Sequence, residues 1–406
     1  MADGNPLQSV EAALAALLAD VAPLDAERIE CDRAAGRVLA EAVTATLDVP
    51  PFDNSAMDGY ALHHADAGQA LPVTQRITAG TSPSPLPRGE CARIFTGGEI
   101  PPGADCVVMQ EAVTLIEENV QVTGDIPAGN NVRRRGRDVA AGAPLLPAGQ
   151  WLEAAALGHL AGQGITTVTV RRRPRVALLS TGDEIVAPGE PLGPGQIYNS
   201  NRPMLERLLT RFGAEVVMQA AVPDSANETR RLLRQAAECA DVVVTTGGVS
   251  VGEADHVKAA VGELGQLDLW RIAMRPGKPL ALGRLPRRGE GGEARFVGLP
   301  GNPVSTFVGA WLFLRPLLGA LLDCPKLAKL PTLTARAAFA AETGPRRHFL
   351  RVRLEFGPEG ILAHAFRDQN SAVLASCIEA DALAVIAEHG RVKEGDAVHC
   401  LWLQLP

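Results

Sequence analysis

The chain has 406 residues, of which 46% are hydrophobic, 4% aromatic and 21% charged, with a net charge of -7. That length accommodates roughly two to four domains with sizeable apolar cores. The acidic balance excludes a general nucleic-acid binder, and so few aromatic residues leave little surface for stacking nucleobases, so any anionic ligand has to be held by local cationic clusters.

Seven scattered cysteines without a CxxC read as reduced thiols, not as a disulfide framework or zinc site. The N-terminus, Met1 to Asn5, carries no basic or apolar signal region. The expected setting is the cytoplasm.

Apolar positions Val10, Leu14, Leu17 and Leu18 recur at helical spacing, and residues about 7–45 read as helix. From Leu47 to Pro147, short runs such as Arg93-Ile94-Phe95, Val107-Val108-Met109 and Val120-Gln121-Val122 alternate with Pro and Gly, as in a small β domain. Residues 151–166 return to a helical pattern, so the β domain reads as an insertion within a helical element that packs back on the first helix. From Arg175, strands and helices alternate: Val176 to Leu179 is a strand, Asn201-Arg202-Pro203 opens a helix that Gly213 closes, and Ser225 with Glu228 fits a capping box. Strands follow at 241–244, Leu267–Ala273, Leu280–Leu282 and Arg295–Val297, with helices after Asp255 and after Asn302-Pro303. Such alternation implies an open, mostly parallel sheet covered on both faces, with ligands outside the carboxyl ends of its strands. The longest apolar stretch, Phe307 to Leu322, is interrupted by Arg315 and Pro316 and reads as a buried helix instead of a membrane span. Leu327 to Pro331 reads as a linker, and the short alternating runs in 332–406 as a small barrel or sandwich.

The most informative stretch is Thr245-Thr246-Gly247-Gly248-Val249-Ser250-Val251-Gly252-Glu253-Ala254-Asp255, which follows the buried strand Asp241-Val242-Val243-Val244. Paired glycines at a strand-to-helix turn let amide groups approach an oxyanion closely, and the acids at the end of the loop point to a metal-bridged phosphate or to hydrolysis. Ser180-Thr181-Gly182-Asp183-Glu184 closes the first strand of the alternation in the same way. Taken alone it is as well explained by an ordinary capped turn. Arg271, Arg275 and Lys278 surround a Pro-Gly turn, a cation set suited to a doubly charged oxyanion, although most charge clusters are solvated edges. Gly298 to Ser305, with Pro300, Asn302 and Pro303, is a rigid strand-to-helix connection that presents a helix N-terminus to an anion or serves only as a tight turn. Pro50 to Tyr60 places Asp58 in an unusually specific loop, and Arg133 to Asp138 is a basic run ending in an acid, equally the signature of a solvated loop. The eight histidines show no HExxH, and His63-His64 read as surface. There is no Walker sequence and no Gly-x-Ser-x-Gly.

Taken together, the segments PPFDNSAMDGYA, RIFTGGEIPPGADCVVMQE, NVRRRGRD, LLSTGDEIV, VVVTTGGVSVGEADHVK, RPGKP and GLPGNPVS resemble the molybdopterin molybdenumtransferase family, which includes bacterial MoeA and the E domain of gephyrin. They run in the family's order from residue 50 to about 310, with a looser match at Arg367-Asp368-Gln369-Asn370-Ser371. The resemblance implies a multidomain α/β plus β fold. It comprises a helical subdomain from 1–46 and 148–170, an inserted β subdomain at 47–147, a doubly wound, three-layer α/β molybdopterin-binding domain of MogA-like fold at 171–326, and a C-terminal β-barrel at 327–406.

The resemblance also implies a homodimer that inserts molybdate into adenylylated molybdopterin and releases AMP with the help of Mg2+, working beside a molybdopterin adenylyltransferase and cofactor-delivery proteins. The implied catalytic acids are Asp58, Asp138, Glu184, Asp224 and Asp255, with Glu184 and Asp255 as metal ligands. Thr96, Arg133, Ser180, Thr181, Gly182, Gly247, Gly248, Ser250, Arg271, Arg275, Lys278, Pro300, Asn302, Pro303, Arg351 and Ser371 are the implied substrate contacts, with Ser376 as an alternative to Ser371 and Arg347 to Arg351. The chain departs from the family's pattern at Arg271 and Arg275, where many members carry lysine, and at Asn370, where glycine is common. A tungstate-inserting homologue and a non-catalytic scaffold or carrier are the alternatives. A pure scaffold has no need of the acid set, which weighs against the second.

Overall fold

The computed structural model describes residues 7–248, 256–287 and 292–404. The first helix is much shorter than the expected 7–45. α1 spans Val10–Leu18, with the Ser9 hydroxyl accepting the Ala12 amide at 3.0 Å as its N-cap. Asp20, at φ 56°, and Pro23 then turn the chain away, and the next segment becomes a strand, β1 (Ala26–Glu30).

The β subdomain that follows is one six-stranded sheet. Its strands are β2 (Gly59–Leu62), β3 (Ala70–Ile77), β4 (Cys91–Ile94), β5 (Cys106–Met109), β6 (Val113–Ile116) and β7 (Asn119–Val122), in the order β5-β2-β4-β3-β7-β6. Gly59 is required where β2 crosses β5, because a Cβ there would lie 1.9 Å from the Val108 carbonyl oxygen. The chain then returns through α2 (Ala154–Gly162) and β8 (Thr167–Arg171). β8 pairs antiparallel with β1, register Arg28↔Thr169. The two halves of the helical subdomain are therefore joined by a ladder and not by a pair of packed helices. α2 packs on Leu39, Leu152 and Val170, whereas Val10, Ala13 and Leu17 of α1 enter the core of the α/β domain.

That domain comprises β9 (Arg175–Thr181), α3 (Asn201–Arg211), β10 (Glu215–Val222), α4 (Ala226–Cys239), β11 (Val242–Thr246), α5 (His256–Leu264), β12 (Gln266–Arg271), the two-residue β13 (Met274–Arg275), β14 (Pro279–Pro286), β15 (Glu293–Leu299), α6 (Pro303–Gly309) and α7 (Arg315–Leu321). The sheet order is β10-β9-β11-β15-β14-β12, parallel through the first four strands and antiparallel in the last two. Alternation along each strand feeds two cores. Leu178, Val244 and Val297 face α1, α3, α6 and α7, while Leu179, Val243 and Phe296 face α4 and α5. Every residue of β11 is buried, which explains its uninterrupted β-branched run. The capping box expected for α4 does not form. Ser225 occupies the cap position without a side-chain bond, and Glu228 pairs with Arg231 at 2.8 Å instead.

α6 runs into α7 through a π-helical stretch, Ala310–Leu314, just before Pro316, whose missing N–H and bulky ring disfavour a regular α-helical ladder there. The composite helix Pro303–Leu321 is long and apolar enough to cross a membrane, but 89% of its 18-residue apolar window is buried inside the protein. The 327–331 segment is less of a free linker than its composition implies. Buried Arg315 donates to the Leu327 carbonyl at 2.7 Å and the Lys326 carbonyl at 2.6 Å, and Leu327 is fully buried. The C-terminal strands β16 (Thr332–Ala337), β17 (Arg347–Gly357), β18 (Gly360–Ala365), β19 (Ala382–Ile386) and β20 (Ala397–Trp402) close into a barrel, β17-β18-β16-β20-β19 and back to β17. β13 adds to the barrel's edge, pairing Arg275 with His348, and so ties the barrel to the α/β domain.

Candidate active site

Parallel pairing of β9, β11 and β15 brings their C-terminal loops together, and the loops form the floor of a cleft of 1010 Å3. The Thr181 hydroxyl donates to the Thr246 carbonyl at 3.1 Å, and the Gly247 amide donates to the Leu299 carbonyl at 3.0 Å. Glycine is imposed at 247, where φ is +86° and a Cβ would sit 2.5 Å from Thr181 Oγ1. The Gly277 turn and the barrel loop Gln369–Ala372 form the facing wall.

The charges in the lining are segregated by element. Arg275, Lys278 and Arg346 supply cations, and Glu184 and Asp224 supply carboxylates. Burial, then the positive fields of Arg275 and Arg346, hold the His348 imidazole below its ordinary pKa, as expected beside two cations. The barrel loop is docked on the helix that follows β15. Asn302 Nδ2 donates to Ser371 Oγ at 3.1 Å, and the Val304 amide donates to the Ser371 carbonyl at 3.0 Å. Asn302 thus caps α6 by position while its side chain reaches the barrel. A cationic turn, glycine-rich strand ends and two carboxylates in one cleft suit an oxyanion or phosphate ester carried on a larger organic body.

Of the residues expected from sequence, Thr181, Gly182, Glu184, Asp224, Gly247, Gly248, Arg275, Lys278, Pro300, Asn302, Pro303 and Ser371 line this cleft. Ser250 and Asp255 fall outside the described residues, as does Glu253. Ser180 is buried beside the cleft, its hydroxyl accepting from Asn199 Nδ2 at 2.8 Å. Arg271 ends β12 and is not among the lining residues. Arg351 is fully buried. It donates through Nε to Ser376 Oγ at 2.9 Å and through its terminal nitrogens to the carbonyls of Asp368, Gln369 and Asn370 at 3.1–3.2 Å. Arg347 pairs with Glu11 and Glu388, so the barrel arginine lining the cleft is the neighbouring Arg346.

The four β-subdomain residues, Asp58, Thr96, Arg133 and Asp138, are not among the residues that line the cleft. Thr96 donates to Asp58 Oδ1 at 2.8 Å from both its amide and its hydroxyl, and these bonds hold the carboxyl below its ordinary pKa. Arg133 and Asp138 are exposed, Asp138 3.8 Å from His159. Its neighbours in the basic run are held by acids from the preceding loop, Arg134 by Asp53 and Arg135 by Asp48, each at 2.5 Å.

Sequence reasoning missed Tyr198, Asn199, Asn201, His256, Arg346 and Gln369 as lining residues. The available signal was the polar run Tyr198-Asn199-Ser200-Asn201, of which only Asn201 was read, as part of a helix start. Asn199 Oδ1 does accept the Arg202 amide at 3.0 Å, but Asn201 Nδ2 also crosses to the Gly301 carbonyl at 2.6 Å and links two of the converging loops.

Three family descriptions match in succession: the MoeA N-terminal region (domain I and II) over residues 8–164, a probable molybdopterin binding domain over 177–320, and the MoeA C-terminal region (domain IV) over 334–403. A molybdopterin molybdenumtransferase of Haemophilus influenzae is 37% identical over 383 residues, 93% of each chain. One from Synechococcus elongatus is 38% identical over 392 residues, 93% of this chain and 95% of its own. Two crystal structures of the molybdopterin biosynthesis MoeA protein of Pyrococcus horikoshii, 31% and 25% identical, align with TM-scores of 0.78 and 0.82 over 98% of this chain and 100% of theirs. With most of its length matched in order and its fold shared, the chain belongs to the molybdopterin molybdenumtransferase family of molybdenum cofactor biosynthesis.

Proposed function

We propose that this protein transfers molybdenum from molybdate to the dithiolene of adenylylated molybdopterin and releases AMP. The observation that carries this reading is one cleft lined by Arg275, Lys278 and Arg346, by Glu184 and Asp224, and by the glycine-rich ends of β9 and β11. Molybdate is a compact dianion, and guanidinium and ammonium donors on a rigid turn suit it. Cleaving the adenylate adds water at one phosphorus and breaks its bond to the bridging oxygen, which departs on the other phosphate. The water's proton needs an acceptor, and the cleft offers Glu184 and Asp224 for that role.

The residues also fit magnesium. That ion typically takes one or two carboxylates and fills its remaining positions with water and substrate phosphate oxygens. Glu184 is the described carboxylate that would hold it, together with Asp255 as implied by the resemblance. Once bound, it would neutralise phosphate charge.

The working form we propose is a homodimer in which the β subdomain of one copy brings Asp58, Thr96, Arg133 and Asp138 to the cleft of the other. Support comes from the exposure of Asp58, Thr96, Arg133 and Asp138 and from Met57 and Met109, 44% and 39% exposed, beside Asp58.

The test is AMP release from adenylylated molybdopterin and magnesium, with and without molybdate, by wild-type protein and Glu184→Gln. Molybdate-dependent release that falls by about a hundredfold in the variant is expected for loss of an acid–base or metal-binding carboxylate. Tight pterin binding with no AMP release would mean a carrier.

A further inference from the structure

The β subdomain holds a second cluster of chemistry-bearing side chains, remote from the cleft. His63, His64 and Asp105 place two imidazole nitrogens and a carboxylate oxygen within 4.8 Å of one another, all half-buried. Adjacent residues on a strand point to opposite faces. Here the chain leaves β2 through a tight 3-10 turn, His64–Asp66, and the two rings stack on one side, centroids 4.8 Å apart and planes 25° apart. Asp105 is fixed from three directions. Its Oδ1 accepts the His64 amide at 2.7 Å, its own amide bonds the Leu62 carbonyl at 3.1 Å, and its carbonyl accepts the Gly129 amide at 2.7 Å. Asp66, the nearest other acid in the turn, is taken up by a two-pronged pair with Arg88 and by the Gly89 amide, so it is not a competing ligand.

We propose that His63, His64 and Asp105 form a binding site for a divalent late transition metal of the zinc class, with solvent in the fourth position. Two imidazoles and a carboxylate favour zinc, nickel or copper over magnesium, so this site and the proposed magnesium position in the cleft select different ions. His64 Nδ1 lies 2.5 Å from Asp105 Oδ2, and His63 Nε2 lies 3.8 Å from the same oxygen. Ligands of one tetrahedral zinc lie about 3.3 Å apart, from bonds of about 2.0 Å. Binding therefore opens the His64 contact and draws His63 in. Coordination through His64 Nδ1 places that ring's proton on Nε2, so the Nδ1 contact with Asp105 is replaced by the two metal bonds. Coordination through His63 Nε2 moves that ring's proton to Nδ1 and gives up the contact from the Ala65 amide, which at 3.2 Å is among the longer bonds of the cluster. The bound ion staples the 63–66 turn to the 103–106 loop across 41 residues of sequence, which is why no local motif announces it.

The experiment is zinc titration of the full-length protein against a chromophoric chelator, for wild type, Glu184→Gln and the double variant His63→Ala/His64→Ala. We expect one tight zinc per chain, kept in Glu184→Gln and weakened by at least about tenfold in the double variant, since removing outer-shell partners alone costs that much. Cobalt(II) substitution should give a d–d spectrum without a thiolate charge-transfer band. Equal zinc affinity in wild type and double variant overturns the proposal, and so does a thiolate band, which would assign the metal to cysteine. Asp105→Asn, which keeps an amide oxygen for the His64 amide, checks that weakened binding is not loss of fold: its melting temperature should stay near wild type while zinc affinity drops.

Discussion

Replacing Arg351 with methionine should loosen the barrel side of the cleft without touching the ligand directly. The guanidinium is fully buried and makes four hydrogen bonds, to Ser376 Oγ and to the carbonyls of Asp368, Gln369 and Asn370. Bonds from a charged donor contribute about 1.5–3 kcal/mol each when buried. Two of the three carbonyls belong to exposed residues, Asp368 and Asn370, so water can replace the donor there. Removing the buried charge also returns part of its desolvation cost. The net loss is then about 2–3 kcal/mol, most of it the anchoring of loop 368–371. That loop holds Ser371 against Asn302 at 3.1 Å, and about 1.4 kcal/mol of lost ordering corresponds to a tenfold weaker ligand. Urea denaturation should show the stability loss, and AMP-release kinetics should show a KM for the pterin raised about tenfold with kcat changed much less. Arg351→Lys should recover only part of either, since a lysine cannot span three carbonyls and a hydroxyl. If Arg351→Met denatures within about 0.5 kcal/mol of wild type and keeps its KM, the anchoring argument is wrong.

Two further changes test the cleft floor and the β subdomain. Gly247→Ala places a Cβ 2.5 Å from Thr181 Oγ1 at a φ of +86°. It should cost about 1–2 kcal/mol in backbone strain and weaken pterin binding by tenfold or more in calorimetric titration, and wild-type affinity would show that the loop does not cradle the ligand. Asp66 is held at a pKa of about 2 by the Arg88 side chain and the Gly89 amide. Because that value lies below the unfolded value of about 3.9, its stabilisation is complete above about pH 4 and is lost as pH falls toward about 2. Urea midpoints of Asp66→Asn should therefore depend less on pH than those of wild type across that window, and parallel profiles would refute the assignment.

The elements of the α/β domain were legible because each strand and helix carries its own pattern. The β-branched run Val242–Val244 records local burial, and Gly182 and Gly247, at φ +118° and +86°, record local backbone conformation, which a short stretch of sequence can signal. The order of the glycine-rich loops, and the family resemblance built on them, were legible for the same reason. Of the helix expected over 7–45, only Val10–Leu18 forms, with Val10, Ala13 and Leu17 in the core of the α/β domain, while Ala34, Leu39 and Ala45 are buried in a different core. Ala26–Glu30 is instead recruited into a ladder with β8, Thr167–Arg171, a pairing no local periodicity records. Arg346, Tyr198 and His256 enter the cleft only because the parallel register of β9, β11 and β15 and the docking of the barrel on β13 bring distant turns to one place. Arg351 shows the converse. Its charge is evident in sequence, but whether it meets a ligand or holds a loop depends on burial, and burial is a property of the packed chain alone.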